Sequence, residues 1–433
     1  MAAIVVLSAL AREAALARGA GTLEDPDNYL PLARSLARGQ GFVFNGRPTA
    51  YRPPLYPLVL APLVLASGPH LVWGIAGLHV LLGAGTVLLT AATARRWGLS
   101  RRRAWIAAAI VACDPVLVAQ SRAVMTETLG AFLVAFTLWA LTHRGARGVL
   151  LGGLGFGLSA LCRPSLLPGA ALVALAYVLA ARDPDDVLLS PRTRRLCPAG
   201  GEGERKALRT ATRRCLHALL LLAATAATLA PWAFRNARLF GEPVWTTTHG
   251  GYTLLLANNP IYYDEVLHGP PGAVWTGPSQ YRFNDAVNAA AAGRPEPEAD
   301  RRLRATALRM LKERPGDFAC ASLARLGRFW GVAPAGAVYS RPLRLASALW
   351  TVPLWVALGV GSSRKEVWRW PRVSAPAVII ALTSVHVVYW TDLRMRAPVV
   401  PAIALVAATA VRPLQIGREK PLKDGQEGAG KKS

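Results

Sequence analysis

Two carboxylates follow the first hydrophobic segment of this chain, at the head of a polar stretch. Asp25 and Asp27 begin Asp25–Pro57, a run rich in glycine and proline between apolar segments. Charged groups near membrane depth are costly and are therefore candidates for function. Asp27 precedes an amphipathic helix predicted at Tyr29–Ala37, so capping explains it equally well. Asp25, followed by Pro26, has no evident capping role and is the stronger candidate for a general base.

A second acidic candidate lies in the sequence SRAVMTE, Ser121–Glu127. This segment falls between two apolar runs, so Arg122 and Glu127 are expected to meet the membrane face that carries Asp25. An acid is also favoured at the start of a helix, and this explanation alone accounts for Glu127 about equally well.

Arginines are predicted at the outer end of nearly every span. Snorkelling to lipid headgroups explains any one of them. As a set they fit a lipid-linked phosphate, because guanidinium pairs bidentately with phosphate and stays charged. Together with a carboxylate base they predict a transfer reaction at the outer leaflet, in which arginines stabilise the leaving phosphate. The predicted phosphate-binding residues are Arg52, Arg122, Arg163, Arg235, Arg394 and Arg396.

The elements that must position these residues are membrane helices. The chain has 433 residues, of which 52% are hydrophobic, and a net charge of +25. Apolar segments recur at roughly the ~20-residue length needed to cross a bilayer, so the basic surplus indicates membrane topology and not nucleic acid. Leu55–Ser67 is too short to span by itself and is interpreted as the start of the second helix or as a re-entrant segment. About ten spans are predicted, at Ala2–Arg18, His70–Ala94, Ala104–Ala119, Glu127–Leu141, Val149–Cys162, Leu166–Ala181, Leu216–Phe234, Ala346–Gly361, Ala375–Trp390 and Ala397–Val411.

The distribution of basic residues predicts the orientation. With the N-terminus in the cytoplasm, the inside loops and the tail hold 26 of the 50 Lys and Arg residues, as the positive-inside rule requires. The candidate residues then lie outside the plasma or inner membrane, and both termini lie inside. The first span, interrupted by Arg12 and Glu13, is short, and a start assigned too far downstream would account for its length.

The predicted architecture is an all-α polytopic membrane protein. Residues 1–412 form one domain, with outer loops at 19–57 and 236–345, a flexible cytoplasmic loop at 182–214, and a basic disordered tail at 413–433. Within the long outer loop, Glu298–Glu313 and Asp317–Trp330 have helical spacing and are predicted to lie in the interface. The glycines of GGLGFG, Gly152–Gly157, lie inside an apolar helix and indicate close helix packing.

Several other chemistries lack their signatures. The five cysteines are scattered without metal-ligand spacing, so neither a zinc site nor a disulfide framework is indicated. Walker, Rossmann and Ser-His-Asp patterns are absent from the sequence. No metal-ligand set is clear and no cofactor is predicted with certainty, although two acids could hold a divalent ion.

An ordered set of motifs then resembles a known family. The set is DPDNYLPLARSLARGQGF, PTAYRPPLYPL, SRAVMTE, the CRP of Cys162–Pro164, PWAFRN, ERPGDF and LRMRAPVVP. The chain resembles the GT-C glycosyltransferases that use lipid-linked sugars, close to glycosyltransferase family 39. That group includes protein mannosyltransferases and is related to the lipid A aminoarabinose transferase. The resemblance implies an inverting transferase that takes its sugar from a polyprenyl phosphate, with an extracytoplasmic lipid, glycan or protein as acceptor.

Carried onto this sequence, the resemblance makes Asp25 the best match for the essential acid of the first outer loop, with Asp27 as competitor. Glu127 stands where the mannosyltransferases have an aspartate. The Asp-Glu pair of their first loop is missing here, and so is their large external domain, which argues against protein O-mannosylation. Further substrate-binding candidates are Tyr29, His249, Asn258 and Tyr262, whose side chains suit sugar stacking and hydrogen bonding.

Two other functions compete with a transferase. A transporter or flippase of lipid-linked sugars would place its charges at mid-bilayer on broken helices and would often show inverted repeats. Neither feature is evident in the sequence. A non-catalytic scaffold would leave Asp25 and Glu127 dispensable.

Overall fold

Helices dominate the computed structural model, which describes residues 1–17, 24–180, 202–270, 273, 275, 277–336 and 339–411. The predicted tail at 413–433 and most of the predicted cytoplasmic loop lie outside the described residues. The helices are α1 Ala2–Ala17, α2 Tyr29–Ala37, α3 Leu55–Ser67, α4 Leu71–Arg96, α5 Arg101–Cys113, α6 Pro115–Gln120, α7 Glu127–Ala140, α8 Gly145–Cys162, α9 Pro168–Val178, α10 Glu202–Phe240, α11 Gly250–Ala257, α12 Pro278–Ala291, α13 Glu296–Glu313, α14 Pro315–Phe329, α15 Arg341–Ser362, α16 Ser374–Val388 and α17 Val400–Ala408.

Short irregular helices connect several of these. Turns of 3₁₀-helix lie at Gly68–His70, Pro164–Leu166 and Leu393–Val399, and Pro260–Tyr262 continues into a π-helical turn, Tyr263–Leu267. One small antiparallel hairpin joins β1, Val43–Phe44, to β2, Arg47–Pro48. Asn45 and Gly46 between them both have positive φ, as a tight hairpin turn requires. The prediction of an all-α fold is therefore confirmed except for this ribbon.

Only some of the predicted membrane spans are long enough in the structure to cross a bilayer. Among the described residues, four stretches are long and apolar enough to cross a bilayer, and three shorter apolar helices accompany them at Glu127–Ala140, Pro164–Val178 and Ser374–Val388. The four stretches are Leu55–Arg96, Gly145–Cys162, Leu208–Phe240 and Arg341–Ser362. Leu55–Ser67 thus leads directly into the second helix, as one of its two interpretations stated. The count of about ten spans stays a prediction.

Two predicted boundaries are wrong. The predicted span Ala104–Ala119 is two helices, because Asp114 accepts hydrogen bonds from the backbone nitrogens of Val116 and Leu117, both at 3.0 Å, and starts α6 afresh. The predicted flexible loop at 182–214 is helical from residue 202, where α10 begins.

The bundle core is built from close helix pairs. α7 packs against α8, α8 against α10, and α4 against both α5 and α7. The predicted packing role of the Gly152–Gly157 glycines is confirmed: a Cβ on Gly153 would lie 2.4 Å from the carbonyl oxygen of Leu221, and one on Gly157 would lie 2.4 Å from Thr228 Cβ. Only glycine allows α8 and α10 to approach this closely.

The buried charge in α1 has a similar explanation. Arg12 is 1% exposed and donates to the carbonyl oxygen of Ser8 at 3.0 Å. Its guanidinium lies beside Gly83 of α4, where a Cβ would meet Arg12 Nε at 2.4 Å. The missing side chain at Gly83 therefore makes the room that the arginine occupies.

The antiparallel pair α7–α8 defines two ends of the bundle. Glu127 starts α7 and Cys162 ends α8, and Cys162 Sγ lies 3.6 Å from the carbonyl oxygen of Thr126. We name this the site end. Ala140 ends α7 and Gly145 starts α8 at the opposite end. At ~1.5 Å per residue, the 18 residues of α8 separate the two ends by about 27 Å, close to the thickness of a hydrocarbon core.

The long segment after α10 forms its own apolar cluster. Helices α11 to α14 enclose Leu254, Tyr262, Trp275, Phe283 and Ala321, all of them buried. The two predicted interfacial helices are confirmed as helices, α13 and α14, each beginning two residues earlier than expected. Proline explains both starts, since it is favoured in the first turn and cannot continue a preceding helix.

Candidate functional site

The segment before α2, which was predicted as part of the first outer loop, binds the start of this helix through Asp25. Asp25 Oδ1 accepts from the backbone nitrogen of Tyr29, and Oδ2 accepts from that of Leu30, both at 2.8 Å. These bonds satisfy two of the free N–H groups at the start of α2. The predicted capping roles are therefore reversed: Asp25 caps the helix and Asp27 does not. The left-handed conformation of Asn28, with φ of 60°, turns the chain so that Asp25 reaches the cap position.

Asp27 instead forms an ion pair. Its Oδ1 lies 3.0 Å from Arg52 Nη2, and both side chains are about a quarter exposed. The Arg52 guanidinium also lies 5.4 Å from the ring centre of Tyr51 and 6.0 Å from that of Tyr29. A cation over aromatic faces is held in place by the ring quadrupoles. Arg52 is thus presented at the site by a carboxylate and two rings.

The electrostatic surroundings of the two aspartates differ. Burial raises the pKa of Asp25, an effect that the Leu30 and Tyr29 N–H groups oppose and the neighbouring Asp27 carboxylate adds to. A raised pKa makes a carboxylate a better proton acceptor. Asp27 has the Arg52 guanidinium directly against it. Asp25 therefore has the stronger physical case as a base, and Asp27 as the group that holds Arg52.

The second outer loop is joined to the first by backbone pairing. The nitrogen of Val124 donates to the carbonyl oxygen of Glu24 at 2.8 Å, and Glu24 forms a parallel bridge with Ala123. The residue before Asp25 thus lies against the SRAVMTE segment. The predicted proximity of the two acidic segments is seen in this pairing.

Glu127 is fully buried and faces two arginines. Its Oε1 lies 3.0 Å from Arg163 Nη1 and 3.6 Å from Arg394 Nη1. Arg163 also donates to Thr126 Oγ1 at 2.8 Å. Although Glu127 has ion-pair distances to both guanidiniums, neither of its oxygens has hydrogen-bond geometry with a described partner. A buried carboxylate at 3.0 Å from a guanidinium is strongly attracted to it, so Glu127 and Arg163 form an ion pair.

A series of ring contacts and hydrogen bonds links α2 to the SRAVMTE segment. The sequence alone did not predict it. Tyr29 packs edge-on against Tyr56, with ring centres 5.4 Å apart. The Tyr56 hydroxyl lies 2.8 Å from His79 Nε2, and His79 Nδ1 lies 2.9 Å from the carbonyl oxygen of Ser121. A carbonyl can only accept, so His79 Nδ1 donates and, in the neutral ring, Nε2 accepts from Tyr56. The sequence signal that could have indicated these contacts is His79 itself, a polar residue inside the apolar helix α4.

A cavity of about 400 Å³ opens beside the Asp27–Arg52 pair. It lies between the first outer loop and the turn that precedes α13. Glu296 closes one side, accepting from the backbone nitrogen of Ala50 at 2.8 Å and from Thr248 Oγ1 at 3.0 Å. The lining is Asp27, Asn28, Leu32, Phe44, Arg47, Pro48, Thr49, Tyr51, Arg52, Phe240, Arg294, Pro295 and Glu296. Arg47 and Arg294 add positive charge to the cavity, although neither belongs to the predicted phosphate-binding set.

The remaining predicted phosphate-binding arginines have different surroundings. Arg235 donates to the carbonyl oxygens of Thr49 and Phe42, at 2.7 and 2.9 Å. Arg396 is 2% exposed and donates to the carbonyl oxygen of Gly331 at 2.5 Å. Both are used to fasten backbone. Arg122 differs, because its buried Nε has no hydrogen-bond partner among the described residues.

The predicted sugar-binding residues fall into two groups. His249 lies beside the cavity-lining Tyr51, with ring centres 4.3 Å apart, and burial and the Arg52 charge lower its pKa, which favours the neutral ring. Asn258 and Tyr262 are buried away from it. Asn258 Nδ2 donates to the carbonyl oxygens of Leu254 and Val388, and Tyr262 packs in the aromatic cluster of the outer segment. The structure brings Tyr29 and His249 to the site and gives the other two a packing role.

Metal-binding capacity is limited to pairs of acids. Among the residues that the structure describes, no group of three or more His, Cys, Asp or Glu side chains is placed to hold a metal ion. Asp25 and Asp27 stand two positions apart on either side of Pro26, and Asp27 is already paired with Arg52.

Comparison with known proteins places the chain in a class. Residues 65–160, from the end of α3 through most of α8, match the family model described as dolichyl-phosphate-mannose-protein mannosyltransferase. This stretch includes Arg122 and Glu127. No curated protein matches the chain.

Several solved structures are similar to the chain at low sequence identity. The oligosaccharyltransferase of Archaeoglobus fulgidus, in complex with zinc and sulfate, is 14% identical with a TM-score of 0.50, covering 94% of this chain and 48% of that one. AglB from the same organism, in complex with an inhibitory peptide and a dolichol-phosphate, is 14% identical with a TM-score of 0.48. The match covers 94% of this chain and 49% of AglB. ArnT from Cupriavidus metallidurans, bound to undecaprenyl phosphate, is 14% identical with a TM-score of 0.40. The match covers 94% of this chain and 77% of ArnT. The chain spans about half the length of the oligosaccharyltransferases.

The predicted resemblance is confirmed at the level of class: the chain has a GT-C-type fold and is similar to glycosyltransferases of that type. The matched family model describes mannosyltransferases, and the structure with the TM-score of 0.50 is an oligosaccharyltransferase.

Proposed function

We propose that this protein is a membrane glycosyltransferase that moves a sugar from a polyprenyl phosphate to an acceptor on the extracytoplasmic side. The observation that carries the proposal is the arrangement at the site end: the half-buried Asp25 is close enough to the Asp27–Arg52 pair to feel its charges, and that pair lines the cavity of about 400 Å³. A base of raised pKa next to guanidiniums is what a transfer with a phosphate leaving group needs.

In the proposed reaction, an acceptor oxygen or nitrogen attacks the anomeric carbon of the donor sugar. Asp25 takes the proton from the acceptor as the new bond forms. The bond between the anomeric carbon and the phosphate oxygen breaks, and the phosphate leaves with the electron pair. A single displacement of this kind inverts the anomeric centre. Both lone pairs that Asp25 does not use for capping are available for the proton.

The leaving phosphate is assigned to the arginines of the site end. Arg52 lines the cavity, and Arg163 and Arg394 meet at Glu127. Glu127 then has a positioning role, because its charge holds two guanidiniums that would otherwise repel each other. Tyr29 lies between the two groups: its hydroxyl interacts electrostatically with Asp27 and Arg52 on one side and with Arg163 on the other.

The proposed location is a cell membrane, with the site end facing outward. Arginine-rich connections at the opposite end, such as RRWGLSRRR between α4 and α5, support this orientation through the positive-inside rule. The proposed partners are therefore the lipid-linked donor, an extracytoplasmic acceptor and the bilayer. The proposed domain is 1–412, with a basic tail after it.

The competing function is a transporter or flippase of lipid-linked sugars. The two functions differ in whether the bond between sugar and phosphate is broken. The position of the Asp27–Arg52 and Glu127–Arg163 pairs, at helix ends and in loops instead of mid-helix, favours the enzyme.

The test is transfer by purified protein from a panel of polyprenyl-phosphate sugars to extracytoplasmic acceptors. We expect release of polyprenyl phosphate by the wild type, and a loss of about 10²-fold or more for Asp25→Asn. Asp25→Asn replaces one of the two capping oxygens with an amide nitrogen, and Asp25→Ser also keeps only one, so the melting temperatures of both variants are compared with that of the wild type to separate loss of the base from loss of the fold. If Asp25→Asn and Asp25→Ser both transfer normally, Asp25 is not the base. If the wild type moves the donor across vesicles without cleaving it, the protein is a flippase.

A further inference from the structure

A second cavity lies at the opposite end of the bundle. It has a volume of about 450 Å³ and is lined by Arg96, Thr142, His143, Arg144 and Arg147, which belong to the last turn of α4, the α7–α8 connection and the first turn of α8. The lining that the structure describes contains three arginines and no carboxylate. Among the described residues, neither Arg96 nor Arg147 forms an ion pair. The charges that line this cavity therefore favour an anion.

Aromatic side chains mark the cavity as lying at the membrane surface. The Arg96 guanidinium lies 5.9 Å from the ring centre of Trp139, and the His143 ring packs edge-on against the same indole at 4.5 Å. Tryptophan is enriched at the headgroup level of bilayers, where its ring sits between apolar and polar surroundings. The arginines around Trp139 are thus at the depth of lipid phosphates.

An apolar stripe continues from the cavity along α8. Leu150 and Leu154 follow Arg147 by three and seven residues, so all three share one helix face. Leu150 is 44% exposed and Leu154 is 39% exposed, whereas Gly148, Val149 and the neighbouring residues of the other face are buried in the bundle. A headgroup at Arg147 would therefore have its acyl chain against a free leucine surface.

We propose that this cavity binds the phosphate headgroup of an anionic phospholipid. Guanidinium groups bind phosphate bidentately, and basic pockets between membrane helices bind acidic lipid headgroups. The stripe at Leu150 and Leu154 selects a lipid over free phosphate, because a soluble anion gains nothing from exposed leucine. The site lies about 27 Å from Glu127 along α8 and is independent of the transfer chemistry.

The experiment is native mass spectrometry of the full-length, delipidated protein in detergent, titrated with phosphatidylglycerol or phosphatidylcholine. The test variant is Arg96→Gln with Arg147→Gln. The matched control is Arg101→Gln with Arg102→Gln, which removes the same charge from the neighbouring, exposed start of α5 and leaves the cavity intact. We expect the affinity for phosphatidylglycerol to fall about tenfold in the test variant and less than twofold in the control. Phosphatidylcholine binding should be weak in all three proteins.

Three results would overturn the proposal. Equal binding of the two lipids would remove the role of headgroup charge, and an equal loss in the control would assign the effect to the general charge of that face. Displacement of the lipid by inorganic phosphate would make a soluble anion the occupant. The melting temperature of each lipid-free variant confirms folding, and the single change Arg147→Gln replaces the double variant if that one unfolds.

Discussion

Both ends of the helical bundle are rich in arginine. Among the described residues, Arg96 and Arg147 at the opposite end form no ion pair, whereas arginines of the site end face carboxylates. There Asp27 faces Arg52, and Glu127 faces both Arg163 and Arg394. At the opposite end the cavity around Arg147 has no acid in its lining. Paired charges hold each other in a fixed geometry, which suits chemistry on a defined substrate. Unpaired charges at the membrane surface suit attachment to lipid. The same residue type thus has two uses that its partners decide.

The largest expected effect comes from breaking the buried pair at the site end. Glu127→Leu leaves Arg163 buried without its carboxylate, and we expect a loss of about 3–5 kcal/mol in the free energy of unfolding. Arg147→Leu, at the exposed opposite end, should change it by less than about 0.5 kcal/mol. Denaturant or thermal unfolding in detergent measures both changes.

The control for this prediction is Glu127→Asp, which keeps the charge and shortens the side chain by one methylene. It should recover most of the stability that Glu127→Leu loses. Equal stability losses at Glu127 and Arg147 would mean that the distinction between paired and unpaired arginines has no energetic basis.

A second effect concerns pH and Asp25. Because burial raises its pKa, the base becomes protonated at a higher pH than an ordinary aspartate, for which the value is about 3.9. We expect the transfer rate to fall on acidification with a midpoint above that value. Unfolding does not explain such a fall through this residue: an acid with a raised pKa in the folded state favours folding when protonated, so its contribution improves as pH drops.

Asp27→Asn sharpens this pH prediction. Asp27 contributes to the raised pKa of Asp25 through its negative charge, and its removal also frees Arg52, which lowers that pKa. The acid midpoint of the transfer rate should therefore move to lower pH in Asp27→Asn. A midpoint that stays in place or moves up would contradict the assignment of Asp25 as the titrating base.

Local sequence signals predicted several elements closely. The α2 helix runs from Tyr29 to Ala37 as predicted, because its apolar spacing and Pro31 are contained within nine residues. The helices α13 and α14 were likewise predicted from apolar residues at helical spacing, and the structure confirms that both segments are helical. The GGLGFG glycines were assigned to packing, and the contacts with Leu221 and Thr228 bear this out.

Features that depend on tertiary structure were predicted less well. The cap formed by Asp25 requires Asn28 to adopt the left-handed conformation, and the residue type alone does not predict this. Arg235 and Arg396 were grouped with phosphate-binding arginines because sequence shows where a side chain is and not which carbonyls it meets. The Tyr56–His79–Ser121 contacts join residues 23 and 42 positions apart. The candidate site was thus predicted as a region, and its internal connections came from the structure.

The smallest effect separates two arginines of the site end from each other. Arg52 is held by a carboxylate at the cavity, whereas Arg235 is held by the carbonyl oxygens of Thr49 and Phe42 and by the rings of Phe42 and Trp232. We expect Arg52→Gln to raise the KM for the lipid-linked donor about tenfold, the loss of one charged contact. Arg235→Gln should leave KM within about twofold and lower stability by about 1–2 kcal/mol. Steady-state kinetics and unfolding of both variants measure these changes. A raised donor KM in Arg235→Gln, with stability unchanged, would restore Arg235 to the phosphate-binding set. It would also show that an arginine fastened to backbone at the site end still serves the substrate.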